Sequence, residues 1–264
     1  VYGLFSKGHR PWPMTTKLFV VIVLFGSLLP IITMAMSVLT GLSGLMDFYG
    51  VSRANLWGHV LGVFHNTCCW PLLTALVVGG LISEDRQHGT SAIYFSRPIT
   101  RTDYTLMKYL SAAVILSMII VFSYCAYYAA AIILNNEGWA YLLDTFPFFL
   151  GGLVAAVMLV VTFTSIGLAL SSLSSGRFFP AVAFLGIIFG SRILAFLIKL
   201  LFDRDTLYLL SPYDNLAHVG QWMMGLNTTY DFPAAWSFVA LLLMNGVSLY
   251  MLISRVNSLE VTRE

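Results

Sequence analysis

Apolar residues along the chain gather into six long runs, over 17–42, 56–82, 104–134, 146–173, 179–202 and 234–253, and the charged residues lie mostly between them. About 20 residues of helix cross a hydrocarbon layer of about 30 Å, so each run is long enough to span a bilayer. Gly, Pro, Asn, Asp and Ser mark the connectors, where turn chemistry ends a helix. The pattern predicts an all-α integral membrane fold, a single transmembrane domain over 1–264 with six spans.

Two connectors are too long to be simple turns. One covers residues 83–103, between the second and third runs. The other covers 203–233, where Ser211 and Pro212 can start a helix whose Leu216, Val219 and Met223 share a face, with Trp222 beside them. A partly helical outer loop, lying on or dipping into the outer leaflet, is predicted there. Ahead of the first run, residues 1–16 set Tyr2, Leu4, Phe5 and Trp12 among basic residues and two prolines, the composition of an interfacial segment. The first run is longer than the roughly 7–15 apolar residues of a secretory signal and is expected to remain as an uncleaved anchor.

Composition removes the soluble alternative. With 58% hydrophobic residues, 10% charged and a mean hydropathy of +0.83, the chain lacks the charge to cover a water-facing surface. A net charge of +2 with no Lys/Arg block excludes a nucleic-acid partner, and the apolar excess excludes intrinsic disorder. The three cysteines, Cys68, Cys69 and Cys125, lie inside apolar runs and make no disulfide framework.

The few charges orient the spans. With the N-terminus in the cytoplasm, Lys7, Arg10, Lys17, Arg86, Arg97, Arg101, Lys108, Arg177, Arg255 and Arg263 fall inside, ten of the 14 basic residues. Cytoplasmic connectors carry such an excess, so both termini are expected in the cytoplasm and the protein in the cell (inner, cytoplasmic) membrane.

The cytoplasmic connector 83–103 is the richest in chemistry. Gly89 permits a backbone conformation closed to other residues, and Thr90 can cap a following helix. Residues 91–96, with Ala92, Ile93, Tyr94 and Phe95, are too few to span and too apolar to stay solvated, so they should lie on the membrane or against a partner. Pro98 stops that helix, and Arg101 with Lys108 holds the next span at the anionic inner face. The order Glu84, Gly89-Thr90, a short apolar helix, Pro98, Arg101 and Lys108 resembles the first cytoplasmic loop of ABC-2 type transporter permeases, as does the six-span topology. The resemblance implies a coupling helix after the second span. Through it a separate ABC ATP-binding subunit, two copies per complex, acts on a membrane dimer built with a second permease subunit, homodimer or heterodimer. Glu84 would anchor the loop and Ala92, Ile93, Tyr94 and Phe95 face the ATPase. No phosphate-cradling G-x-x-x-x-G-K-[ST] occurs in the chain, so no cofactor is expected on this chain and ATP and Mg would be handled by the partner. This makes the chain a transporter subunit with no catalytic residues rather than an enzyme.

Polar residues within the runs are candidates for a pathway. Arg192 lies 14 residues past Phe178, about 21 Å along a helix; it could line an outward-facing cavity, contact an anionic headgroup, or reach towards Asp203 or Asp205. His59, Gly62 and Asn66 share a helix face, which should look into protein or water, and Tyr124 is a candidate in the third run. Gly58/Gly62 and Gly186/Gly190 have the small-xxx-small spacing of close helix contacts; the resemblance implies dimer pairing through the first and fifth spans, with packing within one subunit as the alternative. No metal site is expected, since His59 and His65 point apart on a helix and no third ligand is placed. Gly41-Leu42-Ser43-Gly44 has no histidine base in the third to sixth runs, and Asn227-Thr228-Thr229 is a glycosylation sequon. The competing readings are a polytopic membrane enzyme acting on lipid or peptide, which needs convergent Asp, Glu or His, and a secondary transporter, which needs inverted repeats.

Overall fold

A computed structural model describes residues 14–40, 53–61, 69–88, 100–134, 139–176 and 178–258. Among them the chain is all-helical. In order come α1 (Met14–Thr40), α2 (Arg53–Leu61), α3 (Trp70–Val78), α4 (Ser83–Gln87), α5 (Arg101–Leu134), α6 (Trp139–Leu173) and α7 (Phe178–Phe202). A 3₁₀ turn (Asp205–Leu210), α8 (Pro212–Met223) and α9 (Ala234–Asn257) complete the order. Four of these helices, α5, α6, α7 and α9, are long and apolar enough to cross a membrane. The protein is a multi-pass membrane protein.

Helix α6 is the centre of the bundle: 67% of its most apolar stretch is buried, against 17–28% in the other three crossing helices. The apolar faces of α5, α7 and α9 that remain exposed are the surface a bilayer covers. Helices α5 and α6 run antiparallel, as Tyr109 meets Ser165 and Tyr128 meets Thr145 through side-chain oxygens 3.1 and 3.0 Å apart. Aromatic contacts fix the other neighbours. His59 stacks on Tyr127 at 4.6 Å, joining α2 to α5, and Phe163 meets Phe184 edge-on at 5.4 Å, joining α6 to α7. Trp70 is fully buried and donates from Nε1 to the Val60 carbonyl at 3.0 Å, tying α3 back to α2.

The helix ends differ from the predicted runs where local chemistry outweighs hydropathy. The second run was expected to continue to Ile82, but α3 stops at Val78, a turn covers 79–82, and α4 begins at Ser83. Helix α6 starts at Trp139, well before residue 146, and carries Pro147 in its interior. Helix α5 opens at Arg101 with a reciprocal cap: Thr100 Oγ1 accepts from the Asp103 amide at 3.2 Å, and Asp103 Oδ2 accepts from the Thr100 amide at 3.2 Å. At α8, Ser211 accepts from the Asp214 amide and Pro212 takes the first turn. Its face bearing Leu216 and Val219 is buried in protein, whereas Trp222 beside it is 64% exposed.

Candidate functional site

At one end of the bundle the beginning of the 83–103 connector is fastened to two crossing helices. Ser171 of α6, fully buried, uses its whole hydroxyl. It accepts from the Ile82 and Ser83 amides at 3.1 and 3.2 Å and donates to the Gly79 carbonyl at 3.0 Å. One donor and two lone pairs are the full capacity of a serine, and here they replace the helical bonds lost where α3 breaks. Gly79 and Gly80 let their neighbours pack close to this turn: a Cβ on Gly79 would stand 3.2 Å from the Ala181 Cβ of α7, and one on Gly80 would stand 3.0 Å from Glu84 Oε1. Arg86 Nη1 donates to the Ser172 carbonyl at 2.5 Å, closing the last turn of α6.

The second fastening is charged. Asp85 Oδ2 lies 2.6 Å from Lys108 Nζ and accepts from the Tyr104 hydroxyl at 2.8 Å, while Lys108 also donates to the Leu81 carbonyl at 2.9 Å. Both partners are mostly buried, so the pair is less screened than a surface ion pair. Arg101 donates to the Asn257 carbonyl at 3.1 Å and draws the end of α9 to the same place.

The other end of the bundle is closed by α8. Asp214, 2% exposed, accepts from the Tyr230 hydroxyl at 2.8 Å through Oδ1, with Arg192 Nε 3.6 Å from the same oxygen. The Arg192 guanidinium lies over the Tyr213 ring at 4.3 Å. Lys199 pairs with Asp205 at 2.6 Å and stands over Tyr208. His218 is buried one turn beyond Asp214, its Nδ1 2.9 Å from Ser237 Oγ of α9 and its ring edge-on to Phe232 at 4.8 Å.

Burial lowers the His218 pKa below its ordinary value and raises that of Tyr230, with Asp214 adding to the rise. A histidine held neutral in the folded state binds fewer protons there than in the unfolded chain. Its contribution to stability is therefore complete above about pH 6.5 and is lost as pH falls from there towards the depressed folded value. The thermal midpoint is expected to drop between pH 7.5 and 5.5 in the wild type. His218→Gln should flatten that drop, and an unchanged slope in the variant would assign the acid sensitivity to another group.

The family model described as ABC-2 family transporter protein matches residues 59–230. The chain belongs to that family. The match takes in both ends of the bundle described above, including the fastened start of the connector and the Arg192–Asp214 contact. The family has no ATPase site of its own and relies on an ATP-binding partner subunit. No curated protein matches the chain.

The residues expected to matter in this ABC-2 transporter are distributed unevenly over the structure. Gly89, Thr90, Ala92, Ile93, Tyr94, Phe95 and Pro98 lie outside the described residues, as do Asn66 and the interfacial segment at the N-terminus. Glu84 sits on α4 against Gly80, and Arg101 opens α5. His59 and Tyr124 are interior: His59 stacks on Tyr127, and Tyr124 donates to the Phe149 carbonyl at 3.2 Å. Arg192 reaches Asp214 instead of Asp203 or Asp205, because α8 folds back under the loop and brings a carboxylate to its depth. A Cβ on Gly186 or Gly190 would meet nothing within 4 Å.

Ser171 and Asp85 were not singled out from the sequence. For Asp85 a signal existed, opposite charges at 85 and 108 bracketing one connector. Ser171 is one serine among several near the end of an apolar run, and no local pattern marks it.

Proposed function

We propose that this chain is the membrane-spanning permease subunit of an ATP-driven exporter that moves a hydrophobic or amphiphilic substrate. It works in the inner (cytoplasmic) membrane with six spans and both termini in the cytoplasm. A second permease subunit, identical or related, pairs with it through the open Gly186/Gly190 face of α7, and two copies of an ATP-binding subunit dock on the cytoplasmic loop and carry the ATP and Mg. Residues Gly89, Thr90, Ala92, Ile93, Tyr94, Phe95 and Pro98 form the docking segment, with Glu84 and Arg101 at its two roots. Arg192 lies on the substrate route, which also takes in Asn66, His59 and Tyr124 once the helices part.

One observation supports this reading most. The start of the loop is tied to α6 through Ser171 and Arg86 and to α5 through Asp85 and Lys108, so a push on the loop displaces two crossing helices as a unit. Packed helices have discrete arrangements, and such a displacement is how closure of an ATPase would switch them.

The test is co-purification with a P-loop ATPase encoded beside this chain, followed by Glu84→Ala, Gly89→Leu and the Tyr94/Phe95 double alanine. Each variant is expected to lower permease-stimulated ATP turnover by about 5–150-fold, the range of ordinary coupling energies, at unchanged expression. Normal ATPase retention and turnover in all three would remove the docking assignment.

A further inference from the structure

Arg192 is placed as a receptor for an acidic group. Its guanidinium is held from two sides, by the Tyr213 ring beneath it at 4.3 Å and by Asp214 Oδ1, 3.6 Å from Nε. The carboxylate contact is one-sided and longer than a hydrogen bond, and the same Asp214 Oδ1 accepts from Tyr230. A guanidinium presents five N–H donors in a planar fork suited to bidentate binding of carboxylate or phosphate. Here the Nε edge is turned to Asp214, and the side chain is still 42% exposed.

What surrounds that exposed part is apolar. Phe196, a turn further on and about 40° round the helix, is 57% exposed, and Phe189, just under a turn before, is partly buried. At 100° per residue Arg192 points about 120° and 160° away from Gly186 and Gly190, so a partner subunit seated on the glycine face leaves it uncovered. Arg192 also lies about 15 Å along α7 before Phe202, where that helix ends. Side chains on a helix lean towards its N-terminus, which for α7 means away from this end of the bundle. An N–H fork left unmet in hydrocarbon is costly.

We propose that Arg192 binds the acidic headgroup, carboxylate or phosphate, of an amphiphile moving within the bilayer, whose chain lies along Phe189 and Phe196. Tyr213 and Asp214 orient the fork, and the amphiphile contributes the second charge-assisted partner. Calling this amphiphile the cargo rests on the exporter reading; the binding itself does not.

The experiment uses the full chain reconstituted in phosphatidylcholine vesicles, probed with stearate and with phosphatidylcholine, each spin-labelled on the same acyl carbon. The motionally restricted fraction of each label is measured at pH 9, where stearate is ionised. The wild type is expected to prefer stearate by about fivefold, the effect of one basic residue on an anionic lipid. Arg192→Lys should keep part of the preference, since it keeps the charge and loses the fork. The Arg192→Gln/Asp214→Asn double variant removes both charges together and keeps an acceptor for Tyr230, so no lone charge is left buried; it should bring the preference close to one at an unchanged thermal midpoint. A preference unchanged in the double variant would overturn the proposal, as would its loss in sodium phosphate but not in sodium chloride of equal ionic strength, which would mark a site for free aqueous anions. Retention of the ATPase is read separately: its failure sinks the exporter reading and leaves the stearate result standing.

Discussion

Gly152→Val is expected to leave little folded protein. A Cβ at Gly152 of α6 would overlap the Tyr124 hydroxyl and stand 2.7 Å from its Cζ, and Tyr124 has no room to yield. Its ring is fully buried, stacked on Phe149 at 5.4 Å, and its hydroxyl is committed to the Phe149 carbonyl. Overpacking costs about 1–3 kcal/mol, and the displaced hydroxyl adds about 1 kcal/mol. Helices α5 and α6 would have to separate along the middle of their contact. The measurement is the monodisperse fraction after detergent extraction, with the thermal midpoint of what survives. Tyr124→Phe, which removes only the hydroxyl, should cost about 1 kcal/mol and partly rescue Gly152→Val. A Gly152→Val protein melting within a degree or two of wild type would show that the two helices do not approach this closely.

Ser171→Val is expected to be comparably damaging, in a different way. Valine has the shape of threonine but offers no polar atom, leaving the buried amides of Ile82 and Ser83 without their acceptor. Each unmet buried group costs about 1–3 kcal/mol, so the local loss is roughly 2–6 kcal/mol, concentrated where α3 turns into α4. Gly79 keeps one donor, the Ser83 hydroxyl at 2.9 Å. Because the damage falls at the root of the loop, ATPase binding should survive while stimulation of its turnover falls. Ser171→Thr, which keeps the hydroxyl, should restore most of it. A Ser171→Val protein with full stability and full stimulation would show that the hydroxyl does not fasten the loop.

Both predictions concern residues that hydropathy treats alike. To the sequence pattern, Gly152 and Ser171 are two small residues in a 28-residue apolar run over 146–173. Their importance comes from what lies opposite, a tyrosine on α5 in one case and two backbone amides before α4 in the other. Sequence reasoning did better with charge. So few charges are present that most of them stand out, and Lys108 and Arg101 were marked before any helix was placed. Arg192 was marked too, as a polar residue inside an apolar run, but no carboxylate beyond Asp203 and Asp205 was weighed for it. Those two are near in the chain, whereas Asp214 is near in space.

What the sequence by itself determined is the medium and the layout. Apolar runs of about 20 residues separated by charged connectors admit a helical membrane protein, because lipid leaves every backbone group to be satisfied within the helix. The order of Glu84, Gly89-Thr90, Pro98, Arg101 and Lys108 pointed to the ABC-2 family without any coordinates. Only the tertiary structure decided which helix stands at the centre, that α3 breaks at Gly79 and is bridged by Ser171, and that α8 turns inward to set Asp214 beside Arg192. The reason is physical. Partition into a bilayer depends on local composition summed along one helix, whereas a buried hydroxyl or carboxylate is satisfied by whichever distant group the packing brings within 3 Å or so, and no local pattern records that choice.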